Sequence, residues 1–429
     1  MPARRSSLVF AFVLWLTLMA LNTGHVQAAP LAVGGDPDRE VLVLLRLAPE
    51  HYRPGADYGD TYDDAMARAA RRRIAGKLAR EHGLALIGDW PMPLVGVDCF
   101  IMMAPQGRSI DQEAKLLSRD PAVSWAEPVR LYKGEGSTLS SGRGDPLFRA
   151  QPAAREWRLT ELHEIATGRN VTVAVIDSMV ERDHPDLLGQ VGLAENFVAD
   201  HPTAAEDHGT GVAGVIAARA DNGVGIVGVA PGARLMALRA CWQSPTSAVE
   251  ARSTVCDSLS LAQALHYAIE HDAGVINLSL AGPPDPLLAR LIDVAVARRL
   301  IVVAAFDRGL PHGGFPASHA GVVAVADESM TPVPPGVYSA PGRDVPTTEP
   351  GGRWFLVNGS SYAAAHVSGL FALLRERAKT AAPLSLVVAD AGQRTVDSCA
   401  SLLRVAGPCD CGCARPAGGT PGPRSAARP

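Results

Sequence analysis

Short apolar runs alternate with amphipathic stretches through the middle of the chain. The strand-like runs lie at 171–176, 234–238, 274–278 and 300–304. The stretches with helical spacing lie between them, at 211–220, 259–271 and 286–298. Continuous β-rich runs are typical of strands buried on both faces. The pattern therefore predicts an α/β domain with a doubly wound, mostly parallel sheet over residues 145–380.

A different pattern precedes this domain. The order is strand, helix, strand, helix, strand, at 41–47, 65–81, 94–104, 109–118 and 123–129. This order predicts a small α+β, ferredoxin-like unit. Residues 133–144 follow it and are rich in glycine and serine without apolar periodicity, so they are interpreted as a linker.

The start of the chain has the pattern of a secretory signal peptide over residues 1–28. Arg4 and Arg5 precede an uncharged apolar run at 8–21, and small residues follow at 26–28. The run is shorter than the roughly 20 residues that span a bilayer, although an uncleaved anchor is the alternative. The sequence predicts an exported protein, secreted or periplasmic, with no stable membrane span after signal cleavage.

Composition narrows the class of protein. The 429 residues are 47% hydrophobic and 20% charged, with a net charge of −4. These values exclude a coiled coil, a wholly disordered chain and a polytopic membrane protein, and they do not favour nucleic acid as a partner. Residues 381–429 drift into proline, glycine, alanine and arginine, which predicts a disordered tail.

Seven cysteines are compatible with disulfides in an exported protein. Cys241 and Cys256 bracket a polar loop. The last four can pair among themselves in three ways, and these are Cys399, Cys409, Cys411 and Cys413. Their final spacing is too tight for a zinc knuckle, so the tail is interpreted as disulfide-bonded and no metal is predicted.

Three polar residues stand at predicted strand–helix junctions, where α/β sheets assemble their active sites. Asp177 ends a strand, His208 opens a helix, and Ser361 opens another helix after Gly359. A serine hydroxyl is a poor nucleophile unless a histidine accepts its proton and a carboxylate orients that histidine.

The segments VAVIDS, DHGTGVAGVIAA and GSSYAAAHVSGL resemble, in this order, the signature blocks of the subtilisin-like serine proteases (subtilases). Supporting matches lie at 184–187, 275–283, 315–318 and 338–342. The resemblance implies a subtilisin-like fold and a serine endopeptidase that forms an acyl-enzyme. It also implies that Ser361 is the nucleophile, His208 the general base and then acid, and Asp177 the orienting carboxylate.

The same resemblance implies the partners. The segment Ser279, Leu280, Ala281 and Gly282 is similar to the edge that pairs with an extended protein or peptide substrate. Residues 29–144 resemble an inhibitor I9-like propeptide, which would act as an intramolecular inhibitor and be cut away from a zymogen. No cofactor is expected to be required for the chemistry. Structural calcium is possible, but no acidic loop in this sequence supports it. The protein is expected to be a monomer.

Asp307 departs from the family pattern because subtilases usually have asparagine there, whose amide stabilises the oxyanion. An ionised aspartate only accepts hydrogen bonds, whereas a protonated one donates. Phe306 for glycine, Ala281 for glycine and Ala365 for proline are further departures. The alternative function is therefore a pseudoprotease or peptide-binding protein that is limited to self-processing.

Two other site types fit less well. The glycines at 209, 211 and 214 match a dinucleotide fingerprint, but no strand precedes them and no acidic residue follows at the expected distance. A metal hydrolase would use ligands from His184, Asp186, His201, Asp207 and His208, whose spacing fits no metal template. His366 is predicted to pack within its helix rather than to act in catalysis.

Overall fold

A computed structural model describes residues 37–46, 60–134, 137–142, 147–244, 253–378, 384–409 and 412–414. The predicted signal peptide and the end of the predicted tail lie outside these residues. Within them, no helix is both long and apolar enough to cross a membrane.

The N-terminal unit is a four-stranded antiparallel sheet with two helices. Its elements are β1 (Glu40–Arg46), α1 (Asp60–His82), β2 (Ala85–Met92), β3 (Val97–Met103), α2 (Ile110–Leu117) and β4 (Val123–Pro128). The strand order β2-β3-β1-β4 is that of a split β-α-β unit. The sequence pattern missed β2, since Gly88 and Pro91 interrupt its alternation.

Alternate residues of β1 belong to two different hydrophobic cores. Val41 and Val43 pack with the unit's own helices. Leu42 and Leu44 belong to a core that continues into helices of the following domain. The N-terminal unit is therefore joined to the rest of the protein by a buried apolar face.

A nine-stranded sheet forms the centre of the following domain. In spatial order its strands are β19 (Val387–Asp390), β20 (Thr395–Asp397), β16 (Tyr338–Ala340), β15 (Val323–Asp327), β14 (Ile301–Ala305), β12 (Val275–Leu278), β7 (Thr172–Asp177), β9 (Arg234–Arg239) and β8 (Val191–Asn196). All neighbouring pairs are parallel except β19 with β20. The predicted mostly parallel α/β sheet is confirmed.

Helices cover both faces of this sheet. They are α3 (Pro152–Glu156), α4 (Leu159–Ile165), α5 (Asp207–Ala217), α6 (Ser258–Glu270), α7 (Pro286–Ala297), α8 (Ser360–Arg377) and α9 (Ser398–Ala406). Helices α5 and α8 pack on the face that includes Val173 and Val175. Helices α6 and α7 pack on the face that includes Ala174 and Ile176. The period-two alternation of β7 thus divides its side chains between two cores.

Two small sheets join the N-terminal region to the domain. One has the order β10 (Cys241–Gln243), β11 (Thr254–Asp257), β5 (Leu131–Gly134) and β13 (Leu280–Ala281). The other has the order β17 (Val345–Glu349), β18 (Arg353–Asn358) and β6 (Ser137–Gly142). The predicted linker, residues 133–144, therefore contains the end of β5 and all of β6. Its composition gave no sign of them because ladder pairing uses main-chain groups.

The sequence predicts a disordered tail from residue 381, but the structure folds much of it. Strands β19 and β20 extend the main sheet, and α9 packs behind them. A disulfide joins Cys399 to Cys413, and Cys409 is also disulfide-bonded. Buried Leu402 and these cross-links provide the stability that the composition of the segment did not indicate.

Candidate active site

Three predicted residues lie on elements at the carboxyl edge of the central sheet. Asp177 is the last residue of β7, while His208 and Ser361 lie in the first turns of α5 and α8. All three side chains are buried, and Ser361 is 0% exposed.

Asp177 and His208 form a hydrogen-bonded pair. His208 Nδ1 lies 2.7 Å from Asp177 Oδ1, which also accepts a hydrogen bond from Ser178 N at 2.7 Å. Ser178 Oγ in turn accepts from Gly209 N at 3.0 Å. Because a carboxylate accepts, the proton of the neutral imidazole is held on Nδ1, which makes Nε2 the basic nitrogen.

Ser361 follows a sharp turn of the main chain at the start of α8. Gly359 precedes the helix with φ of 134°, a conformation that disfavours residues with a Cβ. Ser361 Oγ donates to Ser279 O at 3.0 Å, and Ser279 Oγ donates back to Ser361 O at 2.8 Å. The next residue, Tyr362, places its ring 5.8 Å from the His208 ring, between centroids.

The predicted substrate edge is paired with the chain's own β5. Leu280 pairs with Gly134 and Ala281 pairs with Lys133, in antiparallel register. The other edge of β5 pairs with β11. Gly282 is fixed by two reciprocal main-chain hydrogen bonds to Phe315. Gly282 N donates to Phe315 O, and Phe315 N donates to Gly282 O, both at 2.8 Å.

Asp307 follows β14, and its carboxylate closes its own turn. Asp307 Oδ1 accepts from Gly309 N at 2.7 Å, and Asp307 N donates to Gly313 O at 3.0 Å. The neighbouring Phe306 is buried, and its ring lies against Gly313. Asp307 is half-buried, and its carboxylate acts as a loop-closing acceptor.

The glycines of the apparent dinucleotide fingerprint have a packing role. A Cβ on Gly209 would lie 2.2 Å from Ser178 O, and one on Gly214 would lie 2.3 Å from Thr348 Oγ1. The threonine pair of β17 closes the contact, since Thr347 Oγ1 donates to Gly211 O and Thr348 Oγ1 donates to Thr210 O, each at 2.6 Å. These glycines let α5 approach its neighbours closely.

The acidic and histidine residues considered for a metal site have other partners. Asp186 accepts from Asn222 Nδ2, Ile226 N and Trp354 Nε1, at 2.7 to 2.9 Å. His184 Nε2 contacts Arg353 O at 2.8 Å. In the part of the chain that the structure describes, no group of three or more His, Cys, Asp or Glu residues is arranged to hold a metal ion.

His366 is a structural residue, as predicted. Its Nδ1 lies 2.8 Å from Tyr362 O, and its ring meets the Trp157 ring edge to face at 5.7 Å. Burial lowers the pKa of His366 to about 4, because the charged imidazolium is poorly solvated there.

Sequence reasoning missed Glu206, which organises the loop beside the Asp177–His208 pair. Its carboxylate accepts from Met179 N at 2.7 Å and from Gln243 N at 2.9 Å. The buried Arg239 guanidinium lies 3.4 Å from the same carboxylate. The only signal in the sequence was an acidic residue directly before the histidine block, and exposed acids there are common.

Comparison with known proteins decides the family. The sequence profile of the subtilase family (peptidase S8) matches residues 168–398, which is more than half of the chain. The chain is a subtilase. The match includes the segments that carry Asp177, His208 and Ser361.

Several characterised subtilases are similar to this chain. An intracellular serine protease of Paenibacillus polymyxa is 32% identical over 272 residues, covering 58% of this subtilase and 78% of that protein. Subtilisin E of Bacillus subtilis is 31% identical over 297 residues, covering 63% of this chain and 70% of its own. These relationships make the protein a serine-type endopeptidase that acts on protein substrates.

A solved structure agrees with the fold. Fervidolysin from Fervidobacterium pennivorans, described as a keratinolytic enzyme related to subtilisin, superposes with a TM-score of 0.62 at 20% identity. The superposition covers 85% of this subtilase but 60% of the fervidolysin chain. At this identity the comparison shows the subtilisin-like fold alone.

Proposed function

We propose that this subtilase cleaves peptide bonds through an acyl-enzyme on Ser361, with His208 and Asp177 completing the catalytic triad. The observation that carries the proposal is the 2.7 Å contact between Asp177 Oδ1 and His208 Nδ1. This contact orients the imidazole so that Nε2 takes the Ser361 proton and later delivers it to the leaving amine. Asp177 stabilises the imidazolium that forms between these two steps.

The oxyanion of the tetrahedral intermediate needs donors. Ser361 stands in the first turn of α8, an 18-residue helix, so the main-chain N–H groups of that turn are directed toward developing negative charge. Asp307 is the candidate for a second donor, and it serves as one only when it is protonated. If Asp307 supplies no donor, multiple turnover is slow and the protein is limited to self-processing, which is the alternative function.

The substrate is proposed to bind as an added strand along Ser279 to Gly282. Main-chain hydrogen bonds on this edge are independent of side-chain sequence, so the edge suits an extended peptide of varied composition. Support comes from β5, which pairs with the same edge and with β11 on its other side.

The N-terminal unit is proposed to be an inhibitory propeptide within residues 29–144, and the protein a zymogen. Strand β5 follows the unit directly and lies where the substrate is proposed to bind. Cleavage would then fall between β5, which lies along the substrate edge, and β6, which pairs with β18 of the protease domain. The signal pattern at 1–28 supports export of the zymogen from the cytoplasm.

The test uses the full chain and its Ser361→Ala variant, each assayed for self-cleavage and for casein hydrolysis from about pH 4 to 9. Both activities should depend on Ser361, and the new amino terminus should lie between Gly134 and Ser137. Ser401→Ala is the matched control, since this equally buried serine of α9 donates its hydroxyl proton to Asp397 O. Hydrolysis by Ser361→Ala would contradict the assigned nucleophile, and self-cleavage without casein hydrolysis would favour the alternative function.

A further inference from the structure

Three buried polar side chains and a main-chain carbonyl, contributed by four residues, form a continuous hydrogen-bonded chain behind the active site. Ser368 Oγ lies 2.8 Å from Asn277 Oδ1, Asn277 Nδ2 lies 2.9 Å from Ser279 Oγ, and Ser279 Oγ lies 2.8 Å from Ser361 O. All four residues are 0% exposed. The chain connects the middle of α8 to its own first turn by way of β12 and the substrate edge.

The direction of every hydrogen bond in this chain follows from its last member. Ser361 O is a carbonyl, which only accepts, so the single proton of Ser279 Oγ is committed to it. Ser279 Oγ must then accept its other bond from Asn277, which puts Nδ2 on that side of the amide. The Oδ1 atom of Asn277 therefore faces Ser368 and accepts its hydroxyl proton.

The position of Asn277 within β12 is informative. Its neighbours in the strand are Val275, Ile276 and Leu278, and all are buried. A polar amide at such a place is tolerated only when its hydrogen bonds are made. Here they are made to two serines, one on the substrate edge and one on the helix that carries Ser361.

Ser279 and Ser361 are consequently tied by two reciprocal bonds. Ser279 Oγ donates to Ser361 O, and Ser361 Oγ donates to Ser279 O at 3.0 Å. Ser279 is also the first residue of the proposed substrate edge. The separation between the nucleophile and the main chain of a bound peptide therefore depends on the rotamer of Ser279.

We propose that Asn277 is a positioning residue, which holds Ser279 so that the substrate edge and the Ser361 turn of α8 keep a fixed separation. Ser368 anchors the Asn277 amide from the other side. This inference rests on the proposed function, because it takes Ser361 as the nucleophile and residues 279–282 as the substrate edge.

Loss of the Asn277 donor should slow chemistry more than it weakens binding. In Asn277→Ala, Ser279 Oγ loses one of its two side-chain hydrogen bonds, so its rotamer is less restrained and the reciprocal bonds to Ser361 loosen, while the main chain of the edge remains. We expect kcat for an extended peptide anilide to fall about tenfold or more, with KM within about twofold, since small misplacements of reacting groups are costly. A short ester that does not reach the edge should lose much less.

The measurement is kcat per active site, counted by titration with a serine-reactive fluorophosphonate. Counting sites removes the contribution of unfolded protein, so a merely structural role of Asn277 would leave kcat per site unchanged. Ser401→Ala serves again as the matched control, because it removes a fully buried serine hydroxyl whose partners, Asp397 O and Val387 N, lie outside this hydrogen-bonded chain. Ser368→Ala, which removes only the outer anchor, is the milder variant if Asn277→Ala does not fold.

Asn277→Asp gives a second readout. The aspartate keeps an acceptor toward Ser368, but it donates to Ser279 only when it is protonated. Its kcat for the extended peptide should therefore recover toward the wild-type value as the pH is lowered, relative to the wild-type profile. The Asn277→Ala variant should show no such recovery.

Unchanged kcat per site in Asn277→Ala, or equal losses for peptide and ester, would overturn the positioning role. So would an Asn277→Asp profile that is parallel to the wild-type profile. Failure of the proposed function is recognised separately, because Ser361→Ala would then retain hydrolysis whatever the Asn277 variants do.

Discussion

At the residue scale, Asp307 combines an unusual side chain with a conventional turn. Its Oδ1 accepts from Gly309 N at 2.7 Å, a role that asparagine performs equally well through its own Oδ1. Asp307→Asn therefore keeps the turn and adds an amide donor. Since one oxyanion donor is worth about 10²–10³ in kcat, we expect kcat at neutral pH to rise, by up to that factor.

The matched control for this prediction is Asp390→Asn. Asp390 Oδ1 accepts from Gly392 N at 2.7 Å in the same kind of turn. This turn follows β19, an outermost strand of the sheet, whereas Asp307 follows the central strand β14. The control should leave kcat unchanged. Equal kcat values for Asp307→Asn and wild type would remove Asp307 from the oxyanion site.

Gly214 tests close packing at the same scale. In Gly214→Ala the new Cβ would meet Thr348 Oγ1 at 2.3 Å and Thr347 Oγ1 at 2.9 Å. We expect the free energy of unfolding to fall by about 1–3 kcal/mol, measured by denaturant titration in the Ser361→Ala background. Gly192→Ala is the control, because its new Cβ has no neighbour nearer than 3.9 Å. Equal stability of the two variants would contradict the packing role.

At the scale of elements, the Cys241–Cys256 disulfide braces the hairpin whose strand β11 pairs with β5. The cross-link closes a separation of 15 residues, for which loop entropy predicts about 3 kcal/mol of stabilisation. Replacing both cysteines with alanine should lower stability by roughly this amount. It should also raise KM for extended peptides, because β11 borders the strand position beside the proposed substrate edge, which β5 occupies in this structure. KM for a short ester should stay the same.

The second disulfide provides the comparison. Cys399–Cys413 closes a nearly equal separation of 14 residues, but it ties α9, which is not part of the small sheet that contains β11 and the proposed substrate edge. Its removal should lower stability similarly without changing KM. If both double variants changed KM alike, β11 would have no specific part in substrate binding.

Strands and helices with a strong apolar pattern were predictable from the sequence, whereas strands without such a pattern, which are held by main-chain pairing alone, were not. The runs that became β7, β9, β12 and β14 are continuously apolar, and Asp177 stands at the end of the first of them. Strand β6 and the end of β5 were not predicted, because a glycine- and serine-rich segment has no side-chain alternation that indicates strand pairing. The positioning role of Asn277 could not be predicted for a related reason, since a polar residue in an apolar strand does not indicate its hydrogen-bond partners.

At the scale of the whole molecule, the N-terminal unit and the protease domain share a buried acidic contact. Glu127 of β4 is 4% exposed, and Asp285, which caps α7, is 2% exposed. Burial, together with the nearby Asp285 carboxyl, raises the pKa of Glu127 to about 9, and the pKa of Asp285 is also raised by burial. Arg130 partly offsets this effect at Asp285, and buried Cys99 lies close enough to interact with both carboxyls.

This contact predicts a pH dependence of the intact chain. Glu127 binds its proton up to about pH 9 when the molecule is folded, but only to about pH 4.5 when it is unfolded. The unfolded state therefore binds fewer protons in this window, and stability falls as the pH rises from about 4.5 to 9.

Glu127→Gln removes this contribution of Glu127 to the pH dependence of stability. In the Ser361→Ala background, its unfolding midpoint should decline less over that window than that of the parent chain. Glu81→Gln, on the exposed end of α1, should follow the parent. If the unfolding midpoints of Glu127→Gln and the parent declined in parallel with pH, the contact between Glu127 and Asp285 would not be a source of the pH dependence of stability.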